Sequence, residues 1–276
     1  IMGTPDDVLT LAATYLRIYF LGIPFFLIFN FGAAILRSMG DTKRPLYILV
    51  IAGIVNTVLN LFFVIVLKMS VAGVAVATGI ANLVSALLII RLLCKEKAPF
   101  RLHLNKIGVV WSELKRMLMI GIPAGLQGMV FSFSNVLLQT AINGYGSDAI
   151  AGSAAALNFE YYCYFVIAAF NGAAISFIGQ NYGAGNKERV KRIYWICLTL
   201  SVVCCGALNE LFVWQHSFFL SFFSNDPNVQ AYGATRMDIV LAWQFIASSY
   251  EISASSLRGI GKSMLPTILS VFGTSI

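Results

Sequence analysis

Long, almost uninterrupted apolar runs separated by short polar clusters make up most of this chain, at positions 9–36, 46–67, 71–93, 117–142, 149–178, 193–214 and 232–257. Each run is near or above the ~20 residues that carry an α-helix across ~30 Å of hydrocarbon. A further run starts near Pro266. Strands of a membrane barrel would show ~10-residue segments of alternating polarity, and these runs are too long and too continuously apolar for that. The predicted fold class is all-α, a polytopic membrane protein with seven full spans and the start of an eighth.

The polar clusters differ in charge. Alternate connections hold Arg37, Lys43 and Arg44, then 91–116, then 187–192, then Arg258 and Lys262, which together contain sixteen of the nineteen basic residues. Only Arg17, Lys68 and Arg236 remain for the other side. An excess of Lys and Arg marks cytoplasmic connections, so 68–70, 143–148 and 214–228 are predicted to be external turns. On this count the chain enters from outside, and a cytoplasmic natural N-terminus requires an odd number of spans upstream. Residues 1–7 read as a polar turn with no cleavable signal.

An internal repeat gives these spans an order. The stretch Leu36-Arg37-Ser38-Met39-Gly40-Asp41-Thr42-Lys43-Arg44-Pro45 returns as Leu257-Arg258-Gly259-Ile260-Gly261-Lys262-Ser263-Met264-Leu265-Pro266, keeping Leu-Arg-x-x-Gly-x-x-x-x-Pro at an offset of 221. The same ungapped offset aligns Val8 with Val229, Ala13 and Thr14 with Ala234 and Thr235, Ile18 with Ile239, and Ala33 with Ala254. Self-similarity at this period implies two structural halves enclosing a pathway, and a complete protein of roughly twice the offset. Both copies place a cytoplasmic loop after the span, so the halves are parallel repeats. The expected division is residues 1–93 as the end of an N-terminal lobe with three spans, 94–116 as a cytoplasmic linker, and 117–276 as a C-terminal lobe with four spans and the start of a fifth.

Composition agrees with a bilayer environment: 58% of residues are hydrophobic and 11% charged, where soluble domains run at roughly a quarter charged. The net charge of +7 sits in the short clusters between spans, which points to membrane orientation and not to nucleic acid. The five cysteines, Cys94, Cys163, Cys197, Cys204 and Cys205, lack the paired spacings of a zinc site or a disulfide framework. The two histidines, His103 and His216, lie in opposite loops, and no catalytic triad is visible, so the chain does not read as an enzyme. A nucleotide-binding reading of Gly261-Lys262-Ser263 fails because position 256 is Ser and an apolar helix precedes it.

Several stretches resemble the multidrug and toxic compound extrusion (MATE) family: Ala33 to Pro45 followed by Asn56-x-x-x-Asn60 and Gly73 to Thr78, Gly121-Ile122-Pro123, Gly179-Gln180-Asn181-Tyr182-Gly183-Ala184-Gly185 with Arg189 after it, and the Arg258 to Pro266 repeat. Together they cover essentially the whole chain. The resemblance implies twelve helices in two six-helix lobes, of which this chain would hold the fourth to the tenth and the start of the eleventh. It also implies export of organic cations or other amphiphiles against an inward flow of Na⁺ or H⁺, with no other cofactor, and a substrate cavity between the lobes. The expected partners are a small amphiphilic substrate and the lipid bilayer of a cell membrane, bacterial inner membrane by preference, with the protein acting as a monomer.

Ionisable groups inside a span are expensive and mark function by default. Glu160 and Glu251 are the two carboxylates clearly in mid-span, whereas Glu210 and Asp238 lie nearer predicted ends. Both are candidates to take up a proton or hold a cation; the competing reading is a carboxyl hydrogen-bonded between helices as packing glue. Many members of the resembled family carry acids where this sequence has Phe131 and Ala247. Glu160 and Glu251, in the eighth and tenth helices, are therefore candidates for a rearranged coupling site. Asn56 and Asn60 share a helical face and are candidates to help hold a cation, although amides cannot carry the proton.

Ser132, Asn135 and Gln139 fall on one face of the fourth run, as a pathway lining would, and Gln127 and Gln244 are isolated polar candidates. Asn171 lies eleven residues beyond Glu160 and so on the same face, and Asn158 lies beside it in sequence. Tyr161, Tyr162, Tyr164, Trp243 and Tyr250 could stack on a cationic substrate or serve as interfacial belt. Arg37, Gly40, Asp41 and Pro45, with Arg258, Gly261 and Pro266, are expected to set turn geometry and gate closure. The reading is a cation-coupled secondary exporter. The alternative is a lipid-linked oligosaccharide flippase of the same superfamily, which would need a cationic interior.

Overall fold

The computed structural model describes residues 6–97 and 99–275. Helices α1 (Asp6–Ser38), α2 (Lys43–Leu61, continued by a π-helical turn, Phe62–Val66), α3 (Ser70–Cys94), α4 (Trp111–Asn143), α5 (Ser147–Gly183) and α6 (Lys187–Trp214) account for the first six runs. Among the described residues, these are the six helices long and apolar enough to cross a membrane. The chain is a multi-pass, all-α membrane protein.

The seventh run departs from the uniform helix expected of it. It consists of α8 (Pro227–Arg236), a π-helical turn (Met237–Leu241), the single turn α9 (Ala242–Gln244) and α10 (Ala247–Gly259). Between α9 and α10 the backbone closes i→i−3, with Ile246 N–H donating to Trp243 O and Ser248 N–H to Phe245 O. Such interruptions are tolerated inside a membrane only where protein surrounds them. α8 also starts five residues before the expected run, because Pro227 occupies the first helical turn and the Asp226 carboxylate accepts from Asn228 N–H at 2.8 Å. The predicted external turn 214–228 therefore contains a short helix, α7 (His216–Ser221), and the first turn of α8. α11 (Met264–Ser275) follows a turn after α10.

Two compact units divide between Gly108 and Val109, inside the polar stretch after α3. In both, the long helices present large apolar side chains outward, such as Phe20, Leu21, Leu87, Phe133, Phe165 and Val203, while polar ones are buried, Ser85 in the first unit and Gln127, Ser201, Asn209 and Ser248 in the second. This distribution suits a lipid solvent, where apolar side chains need no hiding and polar ones do.

In the first unit α1 packs along α3, with Phe29, Ala33 and Leu36 against Ile89 and Leu93. In the second unit, α5 is flanked by α6, α8 and α10. Two glycine contacts fix it against the interrupted span. A methyl group on Gly152 would stand 2.4 Å from Val229 O and 2.9 Å from Gly233 N, and one on Gly179 would stand 3.2 Å from Gly259 O. Both obstructing groups at Gly152 are backbone, so Gly152→Ala must push α5 and α8 apart. In thermal unfolding of the complete protein we expect it to cost about 1–3 kcal/mol, and an unchanged melting temperature would show that the contact is slack.

The repeat reappears as geometry. At the end of α1, Asp41 N–H donates to Leu36 O (3.0 Å) and Gly40 N–H to Arg37 O (2.9 Å); after α10, Lys262 N–H donates to Leu257 O (2.8 Å) and Gly261 N–H to Arg258 O (2.9 Å). Gly40 and Gly261 have φ of 85° and 81°. Each is the left-handed glycine that ends a helix with this pair of closures.

Candidate functional site

Glu160 lies in α5, two turns beyond Gly152. Because α8 touches α5 backbone to backbone at Gly152, the next turn of α8 brings Arg236 level with Glu160. The guanidinium grips the carboxylate with two bonds, Nε to Oε1 at 2.5 Å and a terminal nitrogen to Oε2 at 3.0 Å, and only 15% and 12% of the two side chains are exposed. Gln244, at the end of α9, donates to the backbone carbonyl of Glu160 at 3.0 Å. The π-helical turn and α9 are thus bridged at both ends to a single residue of α5. Arg236, counted in the sequence with the external basic residues, is an interior residue whose charge is matched.

Three turns further along the same face of α5, Asn171 donates to Glu251 Oε2 at 2.9 Å. Asn171 and Glu160 do share a helical face, but each meets a different part of the interrupted span. Glu251 is half-buried and has no ion pair among the described residues. Asn171 Oδ1 and Gln244 Oε1 are buried without hydrogen-bond partners there. Tyr164 and Tyr250 lie in the same region of the unit.

A third group sits toward the cytoplasmic end of the span. Gln127, buried on α4, donates to the Tyr250 hydroxyl at 2.6 Å and accepts from the Arg258 guanidinium. Tyr250 in turn donates to Pro266 O at 3.5 Å, and Ser263 donates to Ile120 O at 2.9 Å. The second copy of the helix-ending turn is therefore tied to α4, with Pro266 buried in the first turn of α11.

The first copy is tied differently. Asp41 Oδ1 accepts from the backbone N–H of Lys43 and Arg44, both at 3.1 Å, and its carboxylate pairs with the Arg44 side chain, which also reaches Glu96 beyond α3. Burial raises the Asp41 pKa, but hydrogen bonds from Arg44 and from the Lys43 backbone, with the charge of Arg44, outweigh it and hold the carboxyl below its ordinary value. A depressed carboxylate stabilises the fold above its unfolded pKa and stops doing so as pH falls through the folded one. Asp41→Asn should therefore lower the melting temperature of the complete protein at pH 7, with the gap to wild type closing below about pH 4. A gap independent of pH would refute this. Arg37 is exposed, and Pro45 is buried on α2.

In the first unit, Asn60 donates to Asn56 Oδ1 at 3.0 Å, and Asn56 donates to Thr78 Oγ1 at 3.4 Å. Asn60 Oδ1 is buried without a partner among the described residues. The three side chains form a cluster of hard oxygen donors, the type that suits a cation of the alkali or alkaline-earth series. No group of three or more His, Cys, Asp or Glu placed to hold a metal occurs among the described residues.

The remaining candidates are not gathered into these groups. Ser132 and Asn135 are exposed on α4, Gln139 donates to Asn143 at 3.0 Å, Asn158 donates to Ala154 O of its own helix at 2.8 Å, and Tyr161 is exposed. Two participants were not singled out from sequence as site residues, Arg236 and Thr78; the fully buried Asn209 and Ser248 were not singled out either, and they lie outside these groups. The available signal was a polar residue inside an apolar run, which each of them is.

Known proteins resemble the chain over nearly its full extent. The MatE family model matches residues 1–62 and 123–276. The "Probable multidrug resistance protein YpnP" of Bacillus subtilis (strain 168) is 30% identical over 274 residues, covering 98% of this chain and 60% of YpnP. A protein named "FAD transporter" from Shewanella oneidensis is 27% identical over 238 residues, covering 83% of this chain and 52% of that protein. In fold, a multidrug resistance MATE family transporter solved in its outward-facing conformation superposes with a TM-score of 0.91 at 22% identity, covering 99% of this chain and 62% of that structure. The chain thus spans about 60% of the length of relatives such as YpnP. With the family model matching most of its residues, this chain is a multi-pass membrane protein of the MatE family.

Proposed function

We propose that the complete protein is a secondary active exporter of amphiphilic organic cations, driven by inward flow of Na⁺ or H⁺, in which Glu251 holds the coupling ion. The observation that carries this reading is Glu251 itself, a half-buried carboxylate in mid-span with one amide donor at 2.9 Å and no ion pair among the described residues. A carboxylate inside the bilayer without a countercharge draws one from outside, as a proton or a metal cation. Glu160 belongs to the same reading as a carboxylate balanced by Arg236 until a competing cation displaces it. Asn56, Asn60 and Thr78 would hold Na⁺ and not a proton, since none of them titrates in this range.

For the cargo, the names of relatives such as YpnP favour multidrug export. Gln127, Ser132, Asn135, Gln139, Asn158, Tyr161, Asn171 and Gln244 are the proposed pathway residues. The flippase alternative needs a cationic interior, and Arg236, the basic side chain beside Glu160, is spent on that carboxylate. The test is uptake of a fluorescent cationic drug into proteoliposomes of the complete protein under imposed Na⁺ and H⁺ gradients. Acceleration by at least one gradient is expected. Transport indifferent to both would sink the antiport reading.

A further inference from the structure

A groove of about 970 Å³ runs between the second half of α5 and the first half of α6, away from the carboxylates described above. Its mouth is polar, with Arg189 and Arg192 beside the carboxylate of Glu188, and its floor is apolar, with Phe170, Phe177 and Ile196. A shallower groove of about 500 Å³ continues it along α6, sharing Arg192, Ile196 and Leu200 and adding Trp195. On α6 the sequence of Arg189, Arg192, Ile196 and Leu200 steps by three and four, so one helical face changes from cationic to apolar along its length. The distance from Arg189 to Leu200 is roughly 16 Å of helix, about one leaflet of a ~30 Å hydrocarbon core.

The charges at the mouth are not internally balanced. Residues 187–192 contain four basic side chains against Glu188, whose ion pair is with Lys191 at 3.5 Å. Arg189 and Arg192 have no ion pair among the described residues. Trp195 is exposed and lines the second groove beside Arg192, as amphipathic rings do at a membrane–water interface. By the distribution of Lys and Arg, this end faces the cytoplasm, whose leaflet carries the anionic lipids.

We propose that this groove is a binding site for an anionic phospholipid of the inner leaflet. Arg189 and Arg192 take the phosphate in the forked geometry a guanidinium offers to paired oxygens. An acyl chain lies over Phe170, Phe177 and Ile196. A zwitterionic lipid fits the same floor but brings its own cation to a mouth that already has two.

Native mass spectrometry of the complete protein tests this, with phosphatidylglycerol or phosphatidylcholine of identical acyl chains added to the detergent. Phosphatidylglycerol should be retained preferentially. Arg189→Gln with Arg192→Gln should weaken its retention roughly thirtyfold, while Arg189→Lys with Arg192→Lys should keep only part of it, because an ammonium retains the charge without the fork. A photoreactive phenylalanine analogue at position 177 identifies the occupant independently of any loss of fold in the charge variants. A phospholipid adduct there is expected. A cross-link to another segment of the complete chain, or equal retention of the two lipids by wild type, overturns the assignment.

Discussion

Replacing Arg236 with Gln in the complete protein should destabilise it by about 3–5 kcal/mol, the usual cost of leaving one member of a buried ion pair without the other. The double variant Arg236→Gln, Glu160→Gln should recover much of that loss, because two neutral amides can bond across the gap that a lone carboxylate cannot tolerate. Thermal unfolding in detergent measures both. If the single and double variants melt alike, the pair is not coupled and Glu160 is held by something other than Arg236. If the double variant melts like wild type yet no longer transports, the pair has a role in the transport cycle beyond packing.

Glu251→Gln should leave the fold intact, since the new amide can still bond Asn171, but should cut gradient-driven uptake by about tenfold or more, the scale of free-energy coupling between two ligands of one protein. Exchange of labelled drug at equilibrium, which needs no driving ion, should be affected far less. Wild-type coupling in this variant would assign Glu251 to helix packing and move the coupling role to Glu160 or to the Asn56 cluster. The Arg236 and Glu251 experiments separate cleanly, because one variant is predicted to fail in stability and the other in coupling.

Much of the architecture was legible before any coordinates. Span length and the distribution of Lys and Arg are local properties, and the helix-ending turns are encoded by a glycine at a fixed distance from an arginine, so the offset of 221 carried real geometry. The interruption of the seventh run was not legible. Its composition is apolar enough to read as one helix, and a π-helical turn has no local signature comparable to a glycine at φ 85°. Arg236 was misplaced for a related reason: an arginine near the end of a run normally reaches for the interface, and only the backbone contact at Gly152 aims this one inward. The partners of Glu160 and Asn171 are 76 and 80 residues away in sequence, and helical periodicity shows which residues share a face without showing what that face meets.

The duplicated turns differ in one respect that matters outside the membrane. The turn after α1 is anchored by charge, through Asp41, Arg44 and Glu96, at the water-exposed end of its unit. The turn after α10 is anchored mainly by neutral hydrogen bonds to α4, through Ser263, Gln127 and Tyr250, with Arg258 meeting an amide and not a carboxylate. Added salt screens the first kind of anchor and hardly touches the second. Raising ionic strength should therefore increase amide exchange at residues 38–44 while leaving 259–265 nearly unchanged, so that a change of buffer tells apart two joints with the same backbone.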